Sequence, residues 1–296
     1  MGPKTRTRQP LRFGVRGAFV EQENLKDEDK RMELGLKNRV AIVCASSQGL
    51  GKAAAATFAR EGAHVVICAR DRKKLALAAK EIQTSSPSGV QVLAITADLT
   101  KPAHIRRLTQ SALRKFRRID ILVTNAGGPP VATFPDLADK QWQRGIELNL
   151  FSTIRLIREV LPQMRKQQWG RIVNITSFTA KQPADDLVIS STVRPGILGL
   201  TKVLANQYTR EGILVNSVTP GFIMTARQKE LGEARGKKLG ISQEEYLAGV
   251  AKGVPAGRLG SPEELADVIV FLCSERASYV SGATITVDGG LMKGIL

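Results

Sequence analysis

Short apolar segments alternate with longer helix-forming segments along most of this chain, and this alternation constrains the fold more than any other feature. The apolar segments predict strands at residues 40–44, 63–68, 91–97, 119–123, 171–176, 214–218 and 284–287. The segments between them predict helices at residues 49–61, 72–83, 102–116, 140–167, 189–211 and 262–274, the fourth of them broken early by a turn. Strands that alternate with helices predict an α/β fold: a single domain built on a doubly wound parallel sheet that helices cover on both faces.

The composition fits one large domain and excludes several classes of protein. Of the 296 residues 43% are hydrophobic, but no apolar run approaches the roughly 20 residues that cross a membrane, and the start lacks the apolar core of a signal peptide. Two histidines and no CxxC pair predict that no zinc is bound. Cys44, Cys68 and Cys273 lie in or beside apolar runs, far apart, and predict buried free thiols in a reducing, cytoplasmic location.

The net charge of +17 has more than one explanation. The basic residues are dispersed and no DNA- or RNA-binding motif accompanies them, so we expect no nucleic-acid partner and no membrane partner. A solvated basic surface is the simpler interpretation. An acidic carrier protein or a phosphate-bearing cofactor is the alternative.

Residues 1–31 differ from the rest of the chain. Basic residues come before any acid, an acidic stretch follows, and no apolar periodicity is present. We therefore expect a disordered basic extension, with the folded domain in residues 32–296. A targeting peptide is an alternative, because the first part is rich in arginine and poor in acids, although it is also poor in serine.

A glycine-rich turn follows the first predicted strand and opens the first helix. It contains Ser46, Ser47, Gly49, Leu50 and Gly51. In a Rossmann fold such a turn lets the backbone come close to a pyrophosphate at the positive end of the helix. These residues are therefore predicted to bind the diphosphate of a dinucleotide. The alternative is that the glycines only permit tight packing of helix on strand.

The end of the second predicted strand carries Arg70, at the place where a dinucleotide fold contacts the ribose. An acidic residue there would bond the 2′-hydroxyl of NAD(H), whereas a basic residue accommodates the 2′-phosphate of NADP(H). Arg70 therefore predicts a preference for NADP(H). Asp71 follows directly, so NAD(H) use and a merely solvated Arg70 remain alternatives.

Further motifs occur in the order typical of the short-chain dehydrogenase/reductase family, and the chain resembles that family over about residues 36–292, in particular its 3-oxoacyl-(acyl-carrier-protein) reductase-like group. The phosphate turn looks like the family's TGxxxGxG, residues 124–127 look like its NNAG, and residues 287–290 match its closing strand. The resemblance implies that the cofactor is also contacted by Asp98, Leu99, Asn125, Ala126, Gly127, Pro220, Gly221, Ile223 and Thr225.

The resemblance also implies a catalytic set in which two positions differ from the family. Ser177 aligns with the family's serine and Asn149 with the asparagine of its proton relay. The family then has a tyrosine and a lysine where this chain has Ser190 and Arg194, which share one helix face. A serine hydroxyl is far less acidic than a tyrosine of pKa near 10, and arginine does not titrate in the ordinary range. Arg194 is expected to hold the cofactor ribose, while the source of the proton stays open.

Other residues near the expected cleft offer alternative proton sources. Asp185 and Asp186 lie in the predicted loop after the fifth strand, where a half-buried carboxyl group can act as an acid; solvated loop charges are the simpler interpretation. Tyr246 and Tyr279 are further candidates. Residues 226–253 occupy the position of the family's substrate lid, where sequence variation sets specificity.

The sequence leaves two functions open. The first is an NADP(H)-dependent oxidoreductase that reduces the carbonyl of a small-molecule or acyl-carrier-bound substrate, such as a 3-oxoacyl thioester, to an alcohol. Ser177 would polarise the carbonyl, Ser190, water or an acid of the lid would relay the proton, and Asn149 would order the water. The second is a catalytically impaired dinucleotide-binding homologue that acts as a cofactor sensor or non-catalytic subunit. The resemblance further implies a homo-oligomer, either a dimer or a homotetramer.

Overall fold

A computed structural model describes residues 32–295, and the extension predicted at residues 1–31 lies outside this part of the chain. Seven strands of the described residues form one parallel sheet in the order β3-β2-β1-β4-β5-β6-β7. The strands are β1 (Val40–Val43), β2 (His64–Ala69), β3 (Val92–Thr96), β4 (Ile121–Thr124), β5 (Gly170–Ile175), β6 (Ile213–Pro220) and β7 (Thr284–Val287). The helices are α1 (Gly49–Arg60), α2 (Arg72–Thr84), α3 (Pro102–Phe116), α4 (Asp139–Ile146), α5 (Ser152–Gln167), α6 (Val188–Tyr208), α7 (Ala226–Leu239), α8 (Gln243–Lys252) and α9 (Pro262–Leu272). The predicted single-domain, doubly wound α/β fold is confirmed.

Alternate residues of the central strands pack into two cores, one on each face of the sheet. In β1, Ala41 and Val43 belong to the core under α1 and α9, whereas Val40 and Ile42 belong to the core under α3 and α5. This division follows from the two-residue period of a strand. Because both faces are covered, β1, β4, β5 and β6 are buried along their whole length, and they read as apolar runs in the sequence.

The three cysteines are buried and free, as the sequence predicts. Cys44 and Cys68 lie in the core under α3 and α5, and Cys273 lies in the opposite core. Burial raises the pKa of the Cys273 thiol, so this thiol stays protonated. None of the helices in residues 32–295 combines the length and the apolar composition needed to cross a membrane.

The strand β1 is hydrogen-bonded on both sides, to β2 and to β4. The chain runs outward from β1 through β2 to β3 and then returns to the other side of β1 at β4. The connections that leave β1 and β4 therefore diverge, which opens a crevice at the carboxyl ends of these two strands. Both the glycine-rich turn and residues 125–128 border this crevice.

The helix predicted at residues 140–167 is not broken by a turn, so this detail of the prediction was wrong. The helix α4 passes into α5 through a π-helical segment, Glu147–Phe151. Such a segment inserts one extra residue into a helical turn, so the apolar pattern changes phase without a break in the helix. The buried Asn149 lies within this segment.

Two helices, α7 and α8, occupy the stretch in which the sequence predicts only a variable lid. Glycines of α7 permit close packing: a Cβ on Gly232 would lie 3.1 Å from the Leu247 side chain of α8, and one on Gly236 would lie 2.9 Å from the Ile241 carbonyl oxygen in the connection between the two helices. The segment mixes these glycines with charged residues. It therefore lacks a clear apolar period, and its helices could not be recognised from the sequence.

The packing of the turn against β1 predicts opposite effects for two glycine substitutions. A Cβ at Gly51 would lie 2.6 Å from the carbonyl oxygen of Ala45 and 2.7 Å from that of Cys44. Because both oxygens belong to the backbone, we expect Gly51→Ala to lower the free energy of unfolding by about 2 kcal/mol. Gly199→Ala is the matched control in α6, since nothing lies within 4 Å of the added Cβ and alanine favours a helix by up to about 1 kcal/mol. Urea denaturation measures both changes, and a similar change in the two variants would contradict the packing argument.

Candidate active site

A cavity of about 770 Å³ opens at the carboxyl ends of the central strands. Its walls are the turn after β1, the ends of β2 and β5, the segment after β3, the loop after β4 and the first turn of α7. It lies in the crevice at which the connections from β1 and β4 diverge, where doubly wound folds bind their ligands. Its volume is in the range of about 300–1,000 Å³ that is usual for small-molecule sites.

The glycine-rich turn forms one wall of this cavity. Gly49 has a φ of 58°, a left-handed conformation that glycine adopts without strain. The Ser46 hydroxyl donates to a β1 carbonyl at 2.7 Å and accepts from a β2 N–H at 3.1 Å, so Ser46 anchors the turn to both strands. Gly51 leaves room for the close approach of α1 to the turn. The first N–H groups of α1, which have no partner within the helix, thus lie at the cavity and fit a diphosphate.

The end of the cavity beside β2 carries two basic residues, Arg70 and Lys74, together with the acidic Asp71. Asp71 is the residue for which NAD(H) use remained an alternative, and in the structure it caps a helix. Its carboxylate accepts from the backbone N–H groups of Lys73 and Lys74 at 2.9 and 3.0 Å and caps α2. A basic pair beside an acid that is engaged as a helix cap fits a phosphate better than a ribose hydroxyl.

Asp98 lines the cavity after β3. Burial alone would raise the pKa of its carboxyl group, but hydrogen bonds from the N–H and the hydroxyl of Thr100, at 3.0 and 2.8 Å, lower that pKa below its usual range. The positive charge of Arg70 acts in the same direction. Asp98 is therefore ionised at neutral pH and is a hydrogen-bond acceptor.

Three of the predicted catalytic residues meet in one network around the guanidinium of Arg194. Its Nε donates to Ser190 Oγ at 3.1 Å and its Nη2 donates to Asn149 Oδ1 at 3.2 Å. Its Nη1 donates to two carbonyl oxygens at the end of β5, those of Thr176 at 2.6 Å and Ile175 at 3.4 Å. Ser190 and Arg194 touch because residues four apart share one face of a helix.

A proline explains why the Thr176 carbonyl is available to Arg194. The N–H of Thr176 bonds to the carbonyl of Val218 across the parallel β5–β6 ladder at 2.9 Å. In a parallel ladder the next bond returns from the N–H two residues further along β6 to the Thr176 carbonyl. That position is Pro220, which has no N–H. Arg194 therefore supplies the donor that the strand lacks.

Arg194 carries its charge in a buried position. It is 8% exposed, and its hydrogen-bond partners are all neutral. Burial lowers the pKa of Arg194 to about 10, because no carboxylate compensates for the lost hydration. The side chain still holds a full positive charge at neutral pH, and it lines the cavity.

Neither of the two predicted catalytic serines lines the cavity. Ser190 is buried, and its hydroxyl is hydrogen-bonded to that of Thr179 at 2.8 Å as well as to Arg194. Ser177 is partly exposed and caps a short 3-10 turn, where its Oγ accepts from the N–H of Thr179 at 3.2 Å. Ser190 is thus directed into the protein interior, whereas Ser177 lies closer to solvent.

The structure divides the predicted site residues into two groups. The cavity is lined by Ser47, Gly49, Leu50, Arg70, Asp98, Leu99, Asn125, Ala126, Gly127, Arg194 and Thr225. The residues outside its lining are Ser46, Gly51, Asn149, Ser177, Ser190, Pro220, Gly221 and Ile223. Several of the second group support the first. A Cβ on Gly221, for example, would lie 2.6 Å from the Asp288 side chain, so this glycine lets the end of β6 pack beside the end of β7.

Two charged lining residues, Lys74 and Arg227, were missed by sequence reasoning. Lys74 lies in the first turn of α2, and a basic residue four positions after Arg70 was an available signal. Arg227 lies in the first turn of α7, a helix that the sequence pattern did not reveal.

The alternative proton sources lie outside the cavity lining. Asp186 forms an ion pair with Arg235 of α7, and Arg235 also donates to the Tyr246 hydroxyl at 3.1 Å. Tyr279 is fully exposed. Among the residues that the structure describes, neither these side chains nor Asp185 are part of the cavity wall.

A doubly wound sheet whose switch-point cavity is bordered by a glycine-rich turn defines the class of Rossmann-fold dinucleotide-binding proteins. The family model described as Enoyl-(acyl carrier protein) reductase matches residues 44–292. The chain belongs to the short-chain dehydrogenase/reductase family, as the motifs predict.

Known members of the family align over nearly their whole length. The chain is 35% identical over 260 residues to the 3-oxoacyl-(acyl-carrier-protein) reductase FabG of Aquifex aeolicus, which covers 88% of this chain and 100% of the relative. L-sorbose reductase from Gluconobacter frateurii, solved with NADPH and L-sorbose, is similar with a TM-score of 0.85 and 36% identity, over 89% of this chain and 100% of that one. An NADPH-bound short chain oxidoreductase from Pseudomonas aeruginosa PAO1, described as containing an atypical catalytic center, has a TM-score of 0.80 and 31% identity, over 87% and 99%.

The buried network predicts a measurable cost for the loss of one hydroxyl. In Thr179→Val the Ser190 hydroxyl loses a partner away from water, so we expect the free energy of unfolding to fall by about 1–3 kcal/mol. Thr192→Val is the matched control on the exposed face of α6, where water replaces the hydroxyl's bond to the Val188 carbonyl; its effect should stay within about 0.5 kcal/mol. Chemical denaturation measures the free energy of unfolding of both variants. Equal decreases would contradict the conclusion that the network is buried away from water.

Proposed function

We propose that this protein is an NADP(H)-dependent oxidoreductase that reduces a carbonyl group to an alcohol by hydride transfer. The observation that carries the proposal is the cavity, which joins the amino end of α1, the basic pair Arg70 and Lys74, and the charged side chain of Arg194. A nicotinamide dinucleotide needs a diphosphate site and a ribose site within one crevice, and the residues that line this cavity suit both. The NADPH complexes of two structural relatives support the same cofactor.

The residues that would hold the cofactor are divided along the cavity. We assign the diphosphate to residues 47–50, the 2′-phosphate to Arg70 and Lys74, the adenine to Asp98 and Leu99, and the nicotinamide half to residues 125–127 and Thr225. When bound, a reduced nicotinamide supplies a hydride to a carbonyl carbon.

We further propose that Ser190 and Arg194 stand at the positions of the family's tyrosine and lysine. Ser177 would polarise the substrate carbonyl. Its Oγ accepts a hydrogen bond from Thr179, but its O–H donates to no acceptor among the residues that the structure describes. Asn149 orients the guanidinium of Arg194, which keeps a fixed positive charge beside the reacting end of the cavity. Ser190 would relay a proton only after its hydroxyl leaves Thr179.

The substrate that we propose is a 3-oxoacyl thioester, free or attached to an acyl carrier. The 3-oxoacyl-(acyl-carrier-protein) reductase of Aquifex aeolicus supports this choice. A net charge of +17 would attract an acidic carrier at a distance. A homo-oligomeric state, with a tetramer or a dimer as the candidates, and a cytoplasmic location remain predictions that rest on the family resemblance and the cysteine content.

A second candidate function, a dinucleotide-binding sensor or non-catalytic subunit, is favoured by one observation. The Ser190 hydroxyl is buried and shared between Thr179 and Arg194, so it is poorly placed to supply a proton to a ligand in the cavity. This candidate and the first differ in whether bound NADPH is turned over.

The cofactor assignment predicts how single substitutions change coenzyme affinity. Arg70→Gln should weaken NADPH binding about tenfold or more and leave NADH binding nearly unchanged, because a hydrogen bond to a charged phosphate is worth about 1.5–3 kcal/mol. Arg72→Gln is the control: Arg72 is exposed at the start of α2 and does not line the cavity. Isothermal titration calorimetry measures the affinities of native protein and of both variants for NADPH and for NADH. A native protein that binds NADH as tightly as NADPH would contradict the assignment.

A panel assay tests the activity itself. Purified protein is mixed with NADPH and a set of 3-oxoacyl thioesters and diketones, and NADPH oxidation is followed by absorbance. Turnover at about 1 s⁻¹ or faster supports the reductase; tight NADPH binding without oxidation across the panel supports the sensor. The double variant Ser190→Tyr with Arg194→Lys is the companion, and a large gain in activity would show that the native pair has lost proton-transfer capacity.

A further inference from the structure

The charge of Arg194 has no counter-ion among the residues that the structure describes. Its guanidinium reaches two backbone carbonyls, one hydroxyl and one amide, all of them neutral. A buried charge without a partner destabilises a protein. Since Arg194 lines the cavity, negative charge that develops on a ligand there would provide the missing partner.

One N–H group of Arg194 is open for such a contact. A guanidinium has five N–H groups. The Nε group uses its N–H for Ser190, Nη1 uses two for the carbonyls at the end of β5, and Nη2 uses one for Asn149. The second N–H of Nη2 has no acceptor within residues 32–295.

The side chains around this guanidinium do not titrate near neutral pH. The end of β5 contributes carbonyl groups, the π-helical segment contributes Asn149, and α6 contributes Ser190, which is itself bonded to Thr179. The nearby acids pair elsewhere: Glu147 with Arg155 at 2.6 Å, and Asp186 with Arg235. The loop that precedes α6 also carries Lys181 and Asp185, which lie outside the cavity lining. The other charged residues that line the cavity are Arg70, Asp71, Lys74 and Asp98, on the walls beside β2 and β3, and Arg227, in the first turn of α7.

We propose that Arg194 is a fixed-charge oxyanion site: it stabilises negative charge on the substrate oxygen during reduction, and water rather than a titratable side chain then provides the proton. This inference rests on the proposed function. A bound reduced nicotinamide would supply a hydrogen with its electron pair to the carbonyl carbon. The C=O π bond would then break, and its electrons would become a lone pair of an alkoxide beside Arg194. Water protonates the alkoxide, and the buffer neutralises the hydroxide that is left. The two electrons that reduce the carbonyl are the two that the coenzyme loses.

This arrangement selects electron-poor carbonyl compounds. No acid delivers a proton as the hydride arrives, so the oxygen must carry a full negative charge in the transition state. That charge costs less when neighbouring groups withdraw electrons. The expected substrates are therefore vicinal dicarbonyls, β-dicarbonyls and aryl ketones with withdrawing substituents, ahead of simple dialkyl ketones. A 3-oxoacyl thioester, which is a β-dicarbonyl, belongs to this class.

A series of para-substituted acetophenones tests the site through turnover. With native protein and NADPH, kcat/KM should rise about tenfold or more from the methoxy to the nitro compound, a difference of at least ~1.4 kcal/mol in the barrier. The profile of kcat against pH should be flat from about pH 6 to pH 8.5, because Arg194, with a pKa of about 10, keeps its charge over that range. A bell-shaped profile, or rates that do not respond to the substituent, would overturn the proposal.

Variants of Arg194 separate its charge from its packing. Arg194→Met should lower kcat/KM by about 10²–10³-fold, as the removal of one oxyanion-hole donor does, whereas Arg158→Met, at an exposed position of α5, should change nothing. If Arg194→Met does not fold, Arg194→Lys decides: a lysine keeps a charge at this position, but burial lowers the pKa of a lysine readily, so the pH profile should acquire a slope that native protein lacks. Unchanged rates in Arg194→Met, or a flat profile in a folded and active Arg194→Lys, would overturn the assignment.

A binding measurement tests the site without turnover. The colour of para-nitrophenol reports its ionisation, and its phenolate resembles the anionic reduced substrate. In the presence of NADP⁺, native protein should bind the phenolate in preference to the phenol and lower the ligand's apparent pKa, and Arg194→Met should not. Absence of NADPH oxidation with every ketone would refute the proposed function, while turnover without phenolate preference would refute only the oxyanion site.

Discussion

The parallel pairing of β1 with both β2 and β4 sets the geometry on which the site depends. Because neighbouring strands run in the same direction, their carboxyl ends meet at one edge of the sheet. The turn after β1, the end of β2 and the loop after β4 therefore border one cavity, although they are far apart in sequence. The hydroxyl of Ser46 also holds the turn after β1 in place, because it is hydrogen-bonded to both β1 and β2.

The same edge of the sheet explains how an arginine is accommodated in a buried position. A parallel strand next to a proline leaves one carbonyl without its ladder partner, and Thr176 is in that situation beside Pro220. The guanidinium of Arg194 donates a hydrogen bond to this carbonyl, and most of its other N–H groups also have acceptors. Hydrogen bonding is thus nearly complete while the net charge stays uncompensated, and these are separate requirements for burying an ion. A lysine with three N–H groups could not reach the same set of acceptors.

The sequence revealed the strands and most helices because a buried parallel sheet requires apolar runs, and it revealed the turn because glycine at residue 49 has a left-handed conformation. It did not reveal α7 and α8, whose packing depends on close contacts at Gly232 and Gly236 rather than on an apolar stripe. Spacing correctly brought Ser190 beside Arg194. It could not show that the Ser190 hydroxyl faces Thr179, since side-chain direction depends on tertiary contacts that spacing does not contain.

The π-helical segment between α4 and α5 lets the two helices pack against different parts of the protein, which one regular helix could not do. An extra residue rotates everything that follows by about 100° around the helix axis. Gly145, before the segment, packs closely against Ile189 of α6. Leu156 and Val160, after the segment, lie in the core under α3 and α5. If one residue were deleted from this segment, either the contact of Gly145 with Ile189 or the burial of Leu156 and Val160 would be lost. The number of residues between Gly145 and Leu156 therefore matters more to this geometry than the identity of each residue.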